Sequence, residues 1–332
     1  MAEIAIIGAG SWGTALAYTL ATNGHSVKLW AYEPEVVAAI RDARENRMFL
    51  PGVILPEGIF PTSVLPEALC SAECVLTVMP SHVCRALYEQ MLPYLSPDTR
   101  IVSATKGIDA ERRLRMSEVI RGVIKPKFDP EIVVISGPSF AREVAVGDPT
   151  VLVAASEDIA AAQWVQREFS GKTFRLYAST DVIGVEICGA VKNVIAIAAG
   201  VIEGLELGHN PMAALITRGL AEITRLACAA GARRETPAGL AGMGDLVLTC
   251  TGALSRNRSV GVELGRGRKL PEILASTREV AEGVINTHST LELARELGVE
   301  MPIAAQVQRI LRDEISPRDA IRELMERSLK TE

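Results

Sequence analysis

EIAIIGAGSWG, residues 3–13, runs from a short apolar strand straight into a G-x-G-x-x-G spacing, and a helical pattern continues from Thr14 to Asn23. Each glycine answers a different physical need. Gly8 permits the tight turn out of the strand. Gly10 lacks a Cβ, so a pyrophosphate can approach the backbone, and Gly13 lets helix and strand pack closely. The free N–H groups and positive dipole end of the helix then favour the anion. Alone the spacing is a weak signal; directly after a strand and opening a helix it is a strong one. The competing reading is a glycine turn in an α/β fold that holds no cofactor.

Outward from this stretch, strand and helix alternate. Apolar runs at 26–30, 73–79, 99–104, 131–136, 150–155 and 173–177 read as strands, and 34–46 and 158–169 as helices. Continuous apolar strands separated by helices predict a parallel sheet covered on both faces. Ligands of such sheets bind outside the carboxyl ends of the strands. Those ends carry Gly8, Trp30 to Glu33, Met79 to His82, Thr105 to Gly107 and Ser136 to Ser139. After Thr180 the period is helical, at 181–199, 211–230, 271–276, 286–297, 303–312 and 317–328. The expectation is an α/β dinucleotide-binding domain over 1–179 and an all-α substrate-binding domain over 180–332.

Composition sets outer limits. A chain of 332 residues suggests two domains, and 48% hydrophobic content is ample for their cores. The net charge of −5 argues against a nucleic-acid partner. Six cysteines (70, 74, 84, 188, 228, 250) without C-x-x-C read as reduced thiols of a cytoplasmic protein, and Cys70-x3-Cys74 as core packing rather than a metal pair, since no second cluster follows. The histidines (25, 82, 209, 288) show no metal spacing, so no metal is expected. A first strand at residue 3 leaves no room for a signal peptide. The richest apolar stretch, 194–202, is too short to span a bilayer, so no membrane insertion is expected.

Four further features carry chemistry. Glu33 follows Gly13 at the distance of an acid that binds a ribose 2′-hydroxyl, and no Arg stands at 31–33 to hold a 2′-phosphate. It fits a solvated residue before Pro34 equally well. Lys106, in SATKG at a strand's carboxyl end, is placed to put positive charge against a substrate carbonyl, or is a loop lysine. Lys192 interrupts an almost wholly apolar helix, 184–200. A buried ammonium must be paired or lose its proton, which suits acid–base work; the alternative is a lysine that snorkels from the core. Asp245 and Thr249 are i, i+4, hence on one face if 242–249 is helical. Ser255-Arg256-Asn257-Arg258 then offers hydroxyl, guanidinium and amide donors for a phosphate. Arg266, Arg268 and Lys269 extend the basic run against one acid, Glu263.

Seven segments together resemble the bacterial-type NAD(P)-dependent glycerol-3-phosphate dehydrogenases: GAGSWGTALA (8–17), SATKGID (103–109), SGPSFAREV (136–144), GAVKNVIAIAAG (189–200), GMGDLVLTC (242–250), SRNRSVG (255–261) and EVAEGV (279–284). The resemblance covers residues 3 to 311. It implies a Rossmann-type parallel-sheet domain and an all-α domain similar to the 6-phosphogluconate dehydrogenase C-terminal domain. The implied reaction is reversible reduction of dihydroxyacetone phosphate to sn-glycerol 3-phosphate, a phospholipid precursor, with NAD(H) or NADP(H). Lys192 matches the general acid–base lysine. Lys106 matches the lysine that holds and polarises the substrate and also touches the cofactor. Asp245 and Thr249 match the acid and hydroxyl beside the catalytic lysine. Gly137, Ser139, Ser255, Arg256 and Asn257 match substrate contacts. Ser11, Trp12, Tyr32, Ala141, Arg256, Val280 and Glu282 match cofactor contacts beside Gly8, Gly10 and Gly13. Tyr32 departs from members with Arg there, which argues against strict NADP use. A homodimer is implied by the resemblance alone.

Two rivals make different predictions. A β-hydroxyacid dehydrogenase shares the layout but acts on carboxylates, against which Ser255-Arg256-Asn257 and Lys106-Gly107 speak. A dinucleotide sensor binds NAD(H) without turnover and has no use for Lys192 and Asp245 in register. A serine hydrolase lacks its G-x-S-x-G.

Overall fold

The computed structural model describes residues 1–276 and 281–328. They pack as two compact units: 1–106 with 114–186, and 107–113 with 187–332. Periodicity alone places a boundary at 179/180. The units instead divide after Glu186, inside a continuous helix, and seven residues that follow Lys106 join the second unit.

The first unit is built on eight strands: β1 (Glu3–Ile7), β2 (Ser26–Trp30), β3 (Ile59–Thr62), β4 (Cys74–Thr77), β5 (Arg100–Ser103), β6 (Ile132–Ser136), β7 (Thr150–Ala155) and β8 (Phe174–Ser179). Their order across the sheet is β3-β2-β1-β4-β5-β6-β7-β8. The helices are α1 (Ser11–Thr22), α2 (Pro34–Ala43), α3 (Leu65–Leu69), α4 (Cys84–Met91), α5 (Met116–Ile124), α6 (Ala141–Val146) and α7 (Ile159–Phe169). The core of this unit gathers fully buried Ile4, Ile6, Leu16, Leu20, Leu29, Leu76 and Phe169.

Three expectations need correction here. The sheet is parallel except where β7 runs antiparallel to β6, with Ser136 opposite Val153; an apolar run carries no sign of its direction. β3 escaped the sequence reading because IFPT contains Pro61, which is tolerated on an edge strand because its ladder donor is not needed. The helix expected over 34–46 ends at Ala43, where Arg44 turns left-handed at φ 53°. Asn46 is thereby released to fold back on the glycine loop.

Helix α8 (Val182–Gly204) spans the division between the units. At its start the buried Glu186 carboxylate accepts from the Ser117 N–H (2.7 Å), the Ser117 hydroxyl (2.6 Å) and Arg115 (2.8 Å). Burial raises the Glu186 pKa, and the Arg115 charge opposes that rise. At 23 residues α8 is long and apolar enough to cross a membrane, which corrects the reading of 194–202 as too short. Within the protein 83% of its most apolar stretch is buried, as in a core helix.

The second unit continues with α9 (His209–Ala229), α10 (Asp245–Thr251), α11 (Arg256–Gly265), α12 (Leu270–Ala275), α13 (Glu282–Glu296), α14 (Pro302–Leu311) and α15 (Pro317–Met325), with no strand among its described residues. Glycines set the spacing of α8 and α11. A Cβ on Gly200 would lie 2.0 Å from the Arg258 carbonyl oxygen, and one on Gly261 2.0 Å from that of Ile197. Gly204 and Gly265 repeat the arrangement one turn on, so the two backbones touch.

Candidate active site

In the first unit the three glycines separate cleanly. Gly8 leaves β1 at φ +118°, and a Cβ there would meet the Val78 carbonyl oxygen at 2.4 Å. A Cβ on Gly13 would meet the Gly8 carbonyl oxygen at 1.8 Å. Gly10, the N-cap residue of α1, has nothing within 4 Å of that position. The protein's own packing requires two of the glycines, while the third borders open space before the first turn of a helix, whose N–H groups have no intrahelical acceptors. The loop is fixed from behind: buried Asn46 donates to the Ala9 carbonyl and to the Thr14 hydroxyl, both at 2.8 Å. It lies between β1 and β4, where the strand order reverses. A dinucleotide pyrophosphate fits these features. Sequence reading missed Asn46, whose only signal was a polar residue after a helix end.

Trp12 packs on Phe174 with ring centroids 6.5 Å apart, so it serves the core as well as facing the loop. Tyr32 is 79% exposed, with its ring against the Trp30 edge, and Glu33 is the N-cap residue of α2. At the ends of β5 and β6, the Lys106 ammonium donates to the Gly137 carbonyl at 3.5 Å, and the Ser139 hydroxyl to the same oxygen at 3.0 Å. Gly137 stands at φ +146°, and its Cβ would press on Leu152 at 2.9 Å. Lys106, Gly137 and Ser139 thus form one cluster. Ala141 opens α6 just beyond it.

In the second unit Lys192, 7% exposed on α8, is ion-paired with Asp245, which is 1% exposed. Its ammonium also donates to the Thr249 hydroxyl at 2.9 Å, and that hydroxyl donates to the Asp245 carbonyl oxygen at 2.6 Å. The i, i+4 relation expected of 242–249 holds because Asp245 opens α10 and Thr249 lies one turn on. A π-helical segment, Leu240–Gly244, leads into it, and a Cβ on Gly242 would meet the Pro237 carbonyl oxygen at 2.0 Å. Removing either side chain would leave the other buried without its partner. Burial pushes the neighbouring Cys250 thiol up to about 12, which removes it as a nucleophile.

Ser255 caps α11 by accepting from the Arg258 N–H at 3.3 Å. Asn257 donates to the Asn193 side-chain oxygen at 3.0 Å and accepts from the Gly283 N–H at 2.8 Å. The phosphate candidate is thereby tied to the residue after Lys192. Asn193 was missed, although a buried amide beside a buried lysine in an apolar helix was a visible signal. The basic run reads differently in three dimensions. Arg258 pairs with Glu203, Arg266 and Arg268 with Glu263, and Lys269 with Asp313. Exposed Arg256 lines a pocket of about 390 Å³ with Ser259 and Ala281. Glu282 opens α13, and Val280 lies outside the described residues. Among the described residues no cluster of metal-ligating side chains occurs. A cavity of about 1020 Å³, lined by Leu215, Ile303 and Val307 among others, contains none of these groups.

Comparison with known proteins agrees along the whole chain. Residues 3–162 match the model of the NAD-dependent glycerol-3-phosphate dehydrogenase N-terminus, and 181–322 that of its C-terminus. The glycerol-3-phosphate dehydrogenase [NAD(P)+] of Koribacter versatilis is 59% identical over 334 residues, covering 100% of this chain and 99% of that protein. Its counterpart in Geobacter sp. (strain M21) is 54% identical, with the same coverage. The crystal structure of glycerol-3-phosphate dehydrogenase from Coxiella burnetii superposes with a TM-score of 0.94 at 41% identity, covering 98% of this chain and 99% of that one. Matched by both family models over nearly its whole length and by relatives of more than half identity, the chain belongs to the NAD-dependent glycerol-3-phosphate dehydrogenases.

Proposed function

We infer that the protein catalyses the reversible reduction of dihydroxyacetone phosphate to sn-glycerol 3-phosphate with NADH or NADPH, and so supplies the glycerophospholipid backbone. The observation that carries this reading is the buried Lys192–Asp245–Thr249 group. A bound reduced nicotinamide supplies the hydride to the substrate carbonyl carbon. The chain's own residues manage charge and position. Lys192 donates a proton from its ammonium to the carbonyl oxygen as that oxygen gains charge, and is left as a neutral amine; in the reverse direction the amine takes the hydroxyl proton. Asp245 and Thr249 hold the ammonium in one orientation in both directions. Lys106 sets a second positive charge against the same oxygen.

Arg256, Asn257 and the first N–H groups of α11 hold the phosphate, a helix-terminus arrangement suited to an anion. The Ser255 cap fixes that terminus. Anchoring the phosphate makes the chemical step effectively intramolecular. Ser11, Trp12, Tyr32, Ala141, Val280 and Glu282 are assigned to the cofactor, with Lys106 and Arg256 touching it as well, and Gly137 and Ser139 to the substrate. The first unit's sheet serves as the cofactor domain and the helices after residue 180 as the substrate domain. The buried face of α8 and the six free cysteines support a cytoplasmic enzyme that acts on diffusing metabolites without membrane insertion, and the net charge of −5 supports the absence of a nucleic-acid partner. The family resemblance supports a homodimer, which light scattering after size exclusion tests.

The deciding experiment follows nicotinamide oxidation with dihydroxyacetone phosphate, NADH and NADPH side by side. Rapid oxidation is expected, and the ratio of the two rates reports what Tyr32 and Glu33 select. Cofactor binding without turnover would instead identify a sensor.

A further inference from the structure

The segment 107–113 continues directly from Lys106 and packs along α13. Its first firm attachment is the Ile108 N–H, which donates to the side-chain oxygen of Asn286 at 3.2 Å. Asn286 is fully buried, and Ile108 is 1% exposed. On its other side the Asn286 amide donates to the Glu282 carboxylate at 3.4 Å. At the far end Arg113 pairs with Glu296, the last residue of α13. Within the segment the Asp109 carboxylate accepts from the Glu111 and Arg112 N–H groups at 3.1 and 2.7 Å, so it turns as one piece.

A buried asparagine has no apolar reason to stand at this position, and burying its amide is costly unless its polar atoms are used. Both of its groups are used: the oxygen on a backbone N–H two residues from Lys106, the nitrogen on the acid that opens α13. We propose that Asn286 is a positioning residue: it fixes the Lys106-Gly107-Ile108 turn and the Glu282 carboxylate against a single amide, and thereby sets where the Lys106 ammonium stands. Gly107 leaves the turn without side-chain support of its own, so the Ile108 peptide restrains the backbone that follows Lys106, while the ammonium itself rests on the Gly137 carbonyl. The inference rests on the assignment of Lys106 to the substrate carbonyl, and Asn286 acts through that lysine without touching substrate.

The test is a double-mutant cycle on the whole enzyme, with Asn286→Ala, Lys106→Ala and both together, read as kcat and KM for dihydroxyacetone phosphate. Asn286→Ala is expected to lower kcat/KM roughly 10- to 100-fold, the range for a displaced reacting group. In the Lys106→Ala background it should cost less than about twofold, since coupled residues are non-additive. Equal losses in both backgrounds would overturn the proposal. Lys106→Ala with wild-type kinetics would overturn the assignment of Lys106, and the positioning role with it. Asn286→Asp keeps the acceptor for Ile108 but sets a second carboxylate beside Glu282. It should retain most of kcat while raising the KM for cofactor; a fall in kcat like that of Asn286→Ala would contradict the mechanism. Amide exchange in the cofactor-free protein gives a readout apart from activity. The Ile108 amide should be protected in the wild type and in Asn286→Asp and exposed in Asn286→Ala. If the alanine variant does not fold, the aspartate variant carries both readouts.

Discussion

Single atoms decide the behaviour of the glycine loop and of the buried pair. Gly13→Ala would force a Cβ to 1.8 Å from a carbonyl oxygen, whereas the Cβ of Gly10→Val meets nothing within 4 Å. The first variant should fail to fold or melt far below the wild type. The second should fold normally, by circular dichroism, and lose cofactor binding, by fluorescence titration. Wild-type affinity in Gly10→Val would remove the pyrophosphate from this loop. Lys192→Ala should lower kcat by roughly 10²- to 10⁴-fold, the usual worth of a placed acid–base group, with cofactor affinity nearly intact. Arg256→Ala should raise the KM for dihydroxyacetone phosphate and leave the weak turnover of unphosphorylated dihydroxyacetone unchanged. The tight glycine turn and the buried lysine were legible in the sequence because each has a local cause: a missing Cβ, or a charge among apolar neighbours. The basic run at 256–269 was over-read because sequence displays charges without their partners. Arg258 finds its carboxylate at Glu203, far back along the chain.

Among the elements, the contact of α8 with α11 sets how Lys192 and the start of α11 stand relative to each other. Gly261→Ala would drive a methyl group into the Ile197 carbonyl and the Gly200 Cα, at 2.0 and 2.9 Å. Overpacking of this kind costs about 1–3 kcal/mol or more. Because α11 begins at the residues proposed to hold the phosphate, the displacement should also raise the KM for substrate. Gly208→Ala, with nothing within 4 Å, is the matched control and should be silent in both urea midpoint and kinetics. Most elements were legible from period and length. Strand direction at β7 was not, because apolar runs look alike in either sense, and the edge strand β3 was hidden by its proline. The apolar reach of α8 was underestimated because Glu186, Lys192 and Asn193 interrupt its apolar run, and tertiary partners absorb all three.

For the molecule, stability should carry a pH signature from Glu222. This α9 carboxylate accepts from the Ile303 and Ala304 N–H groups at 2.7 and 3.3 Å, and burial pushes its pKa from 4.5 up to about 7, against the pull of those bonds and of Arg225 and Arg327. The folded state therefore holds a proton that the unfolded chain has released between pH 4.5 and 7. Stability falls as pH rises through that window, by an amount on the order of 3 kcal/mol at most. Glu222→Gln should flatten that slope in melting temperatures measured from pH 5 to 8; an unchanged slope would assign it to other groups. At this scale the sequence was least informative. Nothing local in 107–113 shows that it belongs with the second unit, since its anchor, Asn286, lies 178 residues away. That separation has a temporal side. A ribosome adding about 5–20 residues per second takes roughly ten to forty seconds to make the anchor after the segment has emerged. Through that interval the nascent chain holds Ile108 without its final hydrogen-bond partner, so the turn after Lys106 cannot settle until synthesis has passed residue 286.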